Sequence, residues 1–129
     1  MAGDVVAPVL EFLRDRADAL LELGVDRQRI VVDPGVGFGK TVEQNFSLLA
    51  QQSRLLTMGF PVLGAWSRKS SLGAVTNHVS PADRVAASVA AALMAVERGA
   101  RIVRVHDVAQ TVDALKVWQA VQEATMPPP

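Results

Sequence analysis

Apolar residues recur at helical spacing in four stretches of the chain. The first stretch predicts an amphipathic helix that begins after Asp4, a suitable N-cap, and ends at Gly24, a residue typical of helix C-termini. In the second stretch Thr41 and Gln44 have the spacing of a capping box, and the apolar pattern continues toward Gly59. Both predicted helices therefore carry sequence signals at their two ends.

Two more helices are predicted in the second half of the chain. Ser80 and Pro81 mark the start of the third, because serine is a favoured N-cap and proline suits the first helical position. Gly99 marks its end, and Asp107 marks the start of the fourth helix. The inward-facing residues of this last helix are predicted to be Val108, Val112, Leu115 and Trp118.

Three short, largely apolar runs predict buried strands at 29–33, 61–65 and 101–105, and the first has three consecutive β-branched residues. Strands joined by helices of this length run parallel with right-handed crossovers, so their carboxyl ends lie at one edge of the sheet. The predicted fold class is therefore α/β, with parallel strands and alternating helices. The chain opens with a helix that lacks its preceding strand, which leaves a sheet edge bare. We therefore expect about three of the eight units of a (β/α)8 barrel, which needs roughly 250 residues.

Composition excludes several classes of function. Thirteen basic residues balance thirteen acidic ones, so no net charge attracts nucleic acid. The chain has no cysteine, which excludes disulfides and thiolate metal sites. Its longest nearly apolar run, residues 85–96, is shorter than the roughly twenty residues that cross a bilayer, and the N-terminus has no signal-peptide pattern. We expect a cytoplasmic protein that binds neither nucleic acid nor membranes, with a loose proline-rich tail at 126–129.

The first predicted strand ends in Asp33 and a glycine-rich segment that runs to Lys40. A phosphate-binding loop would need glycine at position 34, and a dinucleotide-binding turn would need glycine at position 40. Neither position holds glycine, so both patterns fail. The simpler interpretation is that Asp33 caps a turn and that the amine of Lys40 is solvated.

The other two predicted strands end in basic residues. Arg68 and Lys69 follow the second strand, and strand alternation places Arg104 and His106 on one face of the third. An arginine inside a short apolar strand is costly unless an anion balances it. The simpler interpretations are a solvated basic loop, an internal carboxylate partner for Arg104 and a hydrogen-bonded core histidine. Together with Asp33, these groups suit a ligand with an amide-like edge and an anionic leaving group.

The motifs at 33–40, 67–70 and 104–108, in this order and at these intervals, resemble the C-terminal segment of the dihydropteroate synthase family. The resemblance covers nearly the whole chain. It implies that residues 1–125 are the last three βα units of a TIM-type barrel plus one preceding helix. It also implies a sulfonamide-targeted transferase of folate biosynthesis, which condenses 6-hydroxymethyl-7,8-dihydropterin pyrophosphate with 4-aminobenzoate and releases 7,8-dihydropteroate and pyrophosphate.

The resemblance further implies roles for single residues. Asp33 would accept paired hydrogen bonds from the amino-pyrimidine edge of the pterin. Lys69 would donate to the pterin oxygen and ring nitrogen. Arg104 would lie against the ring and border the anion pocket, and His106 would bind the leaving pyrophosphate. Lys69, Arg104 and His106 are thus the implied catalytic residues.

Four further positions are implied to contact substrate. Gly37 would let the backbone approach the ligand, and Phe38 and Ser70 would shape the aminobenzoate pocket. Val105 completes the set between Arg104 and His106. In this family the position of Ala65 is usually glycine, so the extra methyl group is expected to shift Lys69 slightly.

The resemblance also carries expectations about cofactors and partners. Magnesium is expected to bind through the substrate pyrophosphate, because no residue here is a convincing metal ligand. A homodimer is expected through the helices of this segment. The first five strands of the family barrel are absent from the sequence, so we expect little or no activity from the isolated chain.

Two alternative functions belong to other classes of protein. One is a pterin-binding methyltransferase barrel, against which the 67–70 motif, Arg104 and His106 argue. The other is a non-catalytic association module, in which the alanine-rich stretch 85–96 would pack closely against a partner.

Overall fold

The computed structural model describes residues 4–125, in which helices alternate with short strands. The predicted tail at 126–129 lies outside the described residues. The α-helices are α1 (Val6–Glu22), α2 (Val42–Ala50), α3 (Ser70–Thr76), α4 (Val85–Glu97) and α5 (Val108–Ala124), and the strands are β1 (Val62–Gly64) and β2 (Ala100–Val103). Short 3₁₀ helices lie at Arg27–Arg29, Gln52–Met58 and Pro81–Asp83.

The two strands pair in parallel, as predicted. The register places Val62 beside Ala100 and Gly64 beside Val103, with an irregularity after Val62. Because β1 and β2 run the same way, the segments that follow their carboxyl ends emerge at one edge of the sheet.

The predicted first strand, 29–33, is wrong as a strand. The side chain of Asp26 accepts a hydrogen bond from the backbone N–H of Gln28, which stabilises a 3₁₀ turn where the strand was expected to begin. Only Val32 joins the sheet, through a parallel bridge to Val62. One bridge is nevertheless enough to align the segment after Val32 with the segments that follow β1 and β2.

One face of the sheet is open within the described residues. Val31 is 44% exposed and Ile102 is 43% exposed. Leu63 pairs with Ile102, and strand alternation places Val31 on their side of the sheet. The other face, which carries the buried Val32, packs against helices. The prediction that residues 29–33 are buried is therefore wrong for the face that carries Val31.

The first two predicted helices form with the expected start signals. The carboxylate of Asp4 accepts a hydrogen bond from the backbone N–H of Val6 at 3.0 Å, and the predicted Thr41–Gln44 capping box is present. The second helix is shorter than predicted, because the chain tightens into a 3₁₀ helix before the left-handed Gly59. The apolar pattern continues through both pieces, so periodicity alone does not separate them.

The helices of the second half differ more from prediction. Ser80 makes no capping hydrogen bond through its side chain, and α4 begins only after Arg84. Its predicted end at Gly99 is confirmed, with φ at 97°. The short helix α3 was not predicted from the sequence.

Helix α5 turns a different face inward from the predicted one. Val108 is 58% exposed and Val112 is 41% exposed, whereas Leu115 and Trp118 are half-buried as expected. Thr111 is the buried residue of the helix at 3% exposure. The inward face is therefore centred near Thr111 and Trp118, to one side of the two valines.

The buried apolar residues form two clusters. The first joins α1 to the amino-terminal side of the sheet, and the second lies beneath the segments that follow the strands. The partly buried Phe46 packs against the second cluster, where its ring stacks on that of Trp66 with the centroids 5.2 Å apart. The second cluster consists of Val36, Leu49, Trp66, Leu72, Ala91, Ala95 and Ala100.

Candidate active site

The glycine-rich segment forms a tight turn at the sheet edge. Gly35, Gly37 and Gly39 have φ values of 71°, 90° and 64°, in the region that favours glycine. A carboxylate oxygen of Asp33 accepts a hydrogen bond from the backbone N–H of Gly35 at 2.9 Å, so Asp33 does cap a turn. The amine of Lys40 is not simply solvated, because it donates to the carbonyl oxygen of Gly35 at 2.9 Å.

Lys69 joins this turn to the segment after β1. Its Nζ donates to the carbonyl oxygen of Val36 and lies 5.3 Å from the centroid of the Phe38 ring. A Cβ atom on Gly37 would lie 3.5 Å from the Lys69 side chain, an ordinary contact, so the positive φ rather than lack of space requires glycine there. With Ser70, these four residues line a cavity of about 230 Å³.

A second cavity lies on the other side of Lys69. It has a volume of about 220 Å³, and its lining includes Lys69, Arg104 and His106. Ala65 also lines it. Six of the eight predicted site residues, all except Asp33 and Val105, therefore line one of the two cavities that Lys69 shares.

The position of Arg104 corrects one premise of the sequence argument. Strand β2 ends at Val103, and the backbone N–H of Arg104 donates to the carbonyl oxygen of Gly64 at 2.9 Å. The side chain is exposed at the strand end rather than buried inside the strand. Asp33 and Val105 line neither cavity, and Val105 is half-buried behind the edge.

The Lys69 amine also interacts electrostatically with charged residues of the glycine-rich turn and of the segment after β2. Burial lowers the pKa of the Lys69 amine, while the carboxylate of Asp33 acts to raise this pKa. The cations Arg104 and Lys40 act in the same direction as burial. Asp33 and Arg104 thus lie within electrostatic reach of one amine, as the parallel order of the strands predicts.

A bidentate ion pair, missed by sequence reasoning, joins the segments after β1 and β2. The guanidinium of Arg68 contacts the Asp107 carboxylate at 2.7 Å and 3.2 Å, which holds the pKa of Asp107 below its usual value. Arg68 has a φ of 58°, and its backbone N–H donates to Ser88 Oγ at 2.8 Å. The carboxylate of Asp107 is therefore used by Arg68 and makes no capping bond to α5.

A buried amide, also missed, joins the glycine turn to α3. Asn45 is 2% exposed, and its Oδ1 accepts from the backbone N–H of Gly37 at 2.9 Å. Its Nδ2 donates to Ser71 Oγ at 2.9 Å. The feature of the sequence that marks Asn45 is its polar side chain on the inward face of α2, beside Leu48 and Leu49.

The donor set favours an anion over a metal ion. Within residues 4–125, no group of three or more histidine, aspartate or glutamate side chains is placed to hold a metal ion. The polar side chains of the second cavity include two cations, Lys69 and Arg104, whereas magnesium prefers carboxylate and water oxygens. The described residues do not fit a directly bound magnesium ion. In the same range, no helix combines the length and apolar character needed to cross a bilayer.

Comparison with known proteins establishes the class of protein to which this fold and site belong. The family model described as "Pterin binding enzyme" matches residues 1–106. The chain belongs to this family of pterin binding enzymes.

Within that family, the similar proteins are dihydropteroate synthases, as the sequence motifs indicated. The relative from Haemophilus influenzae is 47% identical over 122 residues, covering 94% of this chain and 44% of the relative. The one from Neisseria meningitidis serogroup B is 48% identical over 121 residues, covering 92% and 42%. The match falls in the C-terminal part of the relative, so the chain spans less than half the length of the curated relatives it matches.

Solved structures confirm the α/β fold with parallel strands. Dihydropteroate synthase from Xanthomonas albilineans in complex with 7,8-dihydropteroate has a TM-score of 0.94 and 52% identity, covering 98% of this chain and 48% of that chain. A second structure of that enzyme, with 4-aminobenzoic acid, gives the same TM-score of 0.94.

Proposed function

We propose that this chain is the pterin-binding part of a cytoplasmic dihydropteroate synthase, the last three βα units of its barrel plus one preceding helix. The observation that carries the proposal is the position of Lys69, which lines two neighbouring cavities. Phe38 and Ser70 belong to one cavity, and Arg104 and His106 belong to the other. Two adjoining pockets that share one amine suit an enzyme that joins two substrates.

The pterin would be held between Asp33 and Lys69. One carboxylate oxygen of Asp33 accepts from Gly35, and the other has no hydrogen-bond partner among residues 4–125. A planar carboxylate with spare acceptor capacity matches the two parallel N–H donors of an amino-pyrimidine edge. The Lys69 amine would donate to the pterin oxygen and ring nitrogen. Gly37 lines the neighbouring cavity of about 230 Å³, where its backbone would approach the ligand.

The pyrophosphate would lie against Arg104 and His106. In the proposed reaction the carbon–oxygen bond to pyrophosphate breaks, and the leaving group departs with the electron pair. The amine of 4-aminobenzoate then forms the new carbon–nitrogen bond and loses a proton. Fixed donors around the departing polyanion lower the barrier, because charge grows there in the transition state. Magnesium would enter only on the pyrophosphate, and Val105 would contact substrate between the two polar residues.

The second substrate would occupy the cavity of about 230 Å³ beside Phe38 and Ser70. The Phe38 side chain is 75% exposed, so one face of its ring is available to an aromatic acid. We propose that sulfonamides, which share the shape of 4-aminobenzoate, compete for this cavity.

Calorimetric titration with a pterin pyrophosphate analogue and magnesium tests the proposed function. We expect saturable binding to the chain, weakened at least ~10-fold by either Asp33→Ala or Arg104→Ala, since each removes a charge-assisted contact of about 1.5–3 kcal/mol. The matched controls are Asp15→Ala and Arg14→Ala, which alter exposed charges on α1.

No binding by a chain that unfolds cooperatively would contradict the proposal, as would equal binding by all four variants. We expect little or no formation of dihydropteroate by the 129 residues alone, because they match only 44% of the length of the Haemophilus influenzae relative.

We also propose that α4 and α5 form a homodimer surface. Val117 and Val121 are 66% and 56% exposed, and they line a groove of about 410 Å³ with Leu93 and Trp118. A second copy of the chain would cover these exposed valines.

Sedimentation or light scattering at high micromolar concentration tests the dimer. We expect a dimer that Val117→Glu converts to a monomer, because a buried carboxylate opposes association. Val75→Glu is the matched control, since Val75 on α3 is also 66% exposed. A monomeric wild-type chain would exclude this surface as a homodimer contact.

A further inference from the structure

Ser67 contacts both the main chain and the side chain of His106. Its Oγ lies 3.0 Å from the backbone nitrogen of His106 and 2.8 Å from the ring Nδ1. Ser67 follows β1 and is only 9% exposed. One hydroxyl group thus reaches 39 residues along the sequence to hold the histidine after β2.

The donors and acceptors of this contact determine where the imidazole proton lies. The backbone N–H of His106 donates to Oγ, and a backbone N–H has no lone pair to accept in return. Among the described residues, the Ser67 hydroxyl has no further hydrogen-bond partner, so Nδ1 is the acceptor for its proton. A proton on Nδ1 would instead leave the hydroxyl proton without an acceptor.

We propose that Ser67 is a positioning residue that keeps neutral His106 in the tautomer with its proton on Nε2. The ring edge away from Ser67 is then a hydrogen-bond donor. The imidazole lines the cavity of about 220 Å³ together with the cationic Lys69 and Arg104. A third donor there completes a set suited to an oxygen-rich anion, whereas the other tautomer would present a lone pair.

The use of this donor by the leaving pyrophosphate rests on the proposed function, but the tautomer itself does not. The competing explanation is that Ser67 only ties the two segments together, as the neighbouring ion pair between Arg68 and Asp107 does. The test therefore needs a measurement that loop anchoring alone leaves unchanged, and the tautomer is such a measurement.

Long-range ¹H–¹⁵N correlation spectra of the labelled chain at about pH 9, where imidazoles are neutral, report the tautomer. The chain has two histidines, and the exposed His78 is an internal reference. We expect a protonated Nε2 and an unprotonated Nδ1 at His106, with a larger separation of the two nitrogen shifts than at His78. Ser67→Ala should reduce that separation to the His78 value, and Ser70→Ala should leave it unchanged.

A protonated Nδ1 in the wild-type chain, or a shift separation equal to that of His78, overturns the tautomer assignment without any variant. An unchanged separation in a folded Ser67→Ala chain overturns the role of Ser67. Titration with inorganic pyrophosphate separates the two proposals. A His106 response that weakens in Ser67→Ala supports the donor role, whereas an Nε2–H tautomer with no response rejects the proposed anion pocket alone.

Discussion

Replacing Lys69 with methionine is expected to weaken the binding of a pterin pyrophosphate analogue by at least ~100-fold. Methionine keeps much of the length and apolar contact of lysine but has no donor. In the proposed function the Lys69 amine donates to the pterin oxygen and to a ring nitrogen, so the change removes two contacts to the ligand. Two charge-assisted hydrogen bonds of about 1.5–3 kcal/mol each make a loss of this size reasonable.

Calorimetric titration measures this effect, with Lys116→Met on the exposed side of α5 as the matched control. Thermal unfolding of both variants shows whether the fold survives. Burial already lowers the pKa of the Lys69 amine, so losing its charge should cost the fold little. Affinity within about threefold of the wild type in a folded Lys69→Met chain, a difference under about 0.7 kcal/mol, would reject Lys69 as the shared ligand contact.

Replacing Asn45 with leucine is expected to lower the free energy of unfolding by about 2–4 kcal/mol. Leucine has the same four-atom branched side-chain skeleton as asparagine but no polar atoms, so the main change is the loss of two hydrogen bonds. The backbone N–H of Gly37 and the hydroxyl of Ser71 would each lose the partner that the buried amide provides. Each unpaired group costs about 1–3 kcal/mol where water is excluded.

Urea denaturation measures the change, with two comparisons. Ser71→Ala removes only the contact to Nδ2 and should cost about 1 kcal/mol. Gln119→Leu introduces the same side chain at an exposed position of α5 and should change stability by less than about 0.5 kcal/mol. Equal stability of Asn45→Leu and the wild type would show that the glycine turn does not depend on this amide.

The helices illustrate how far local pattern predicts this fold. The capping box at Thr41 and Gln44 and the left-handed end at Gly99 depend on residues a few positions apart, and both were predicted correctly. The inward face of α5 depends on where α4 lies, and the prediction that Val108 and Val112 face inward is wrong. Periodicity finds an apolar stripe, but the neighbouring helix decides how the stripe is oriented.

The first predicted strand also separates what the local sequence predicts from what neighbouring elements decide. Three β-branched residues at 30–32 favour extended structure, and Val32 does pair with Val62. A strand, however, needs a partner along its length, and the described residues supply one only at Val32. Asp26 also stabilises a turn just before it. Strand length is therefore a property of the sheet rather than of the segment.

The sequence by itself determined the polar residues at each strand end, the parallel order that brings them to one edge, and the family to which the chain belongs. These follow from short motifs and from connection lengths. Only the tertiary structure decided that Asn45 binds Gly37 and Ser71, and that Ser67 and Arg68 bind His106 and Asp107. Ser67 and Arg68 lie 39 residues from their partners, and Asn45 lies 26 residues from Ser71. The physical reason is that a hydrogen bond depends on distance in space, which no local pattern encodes.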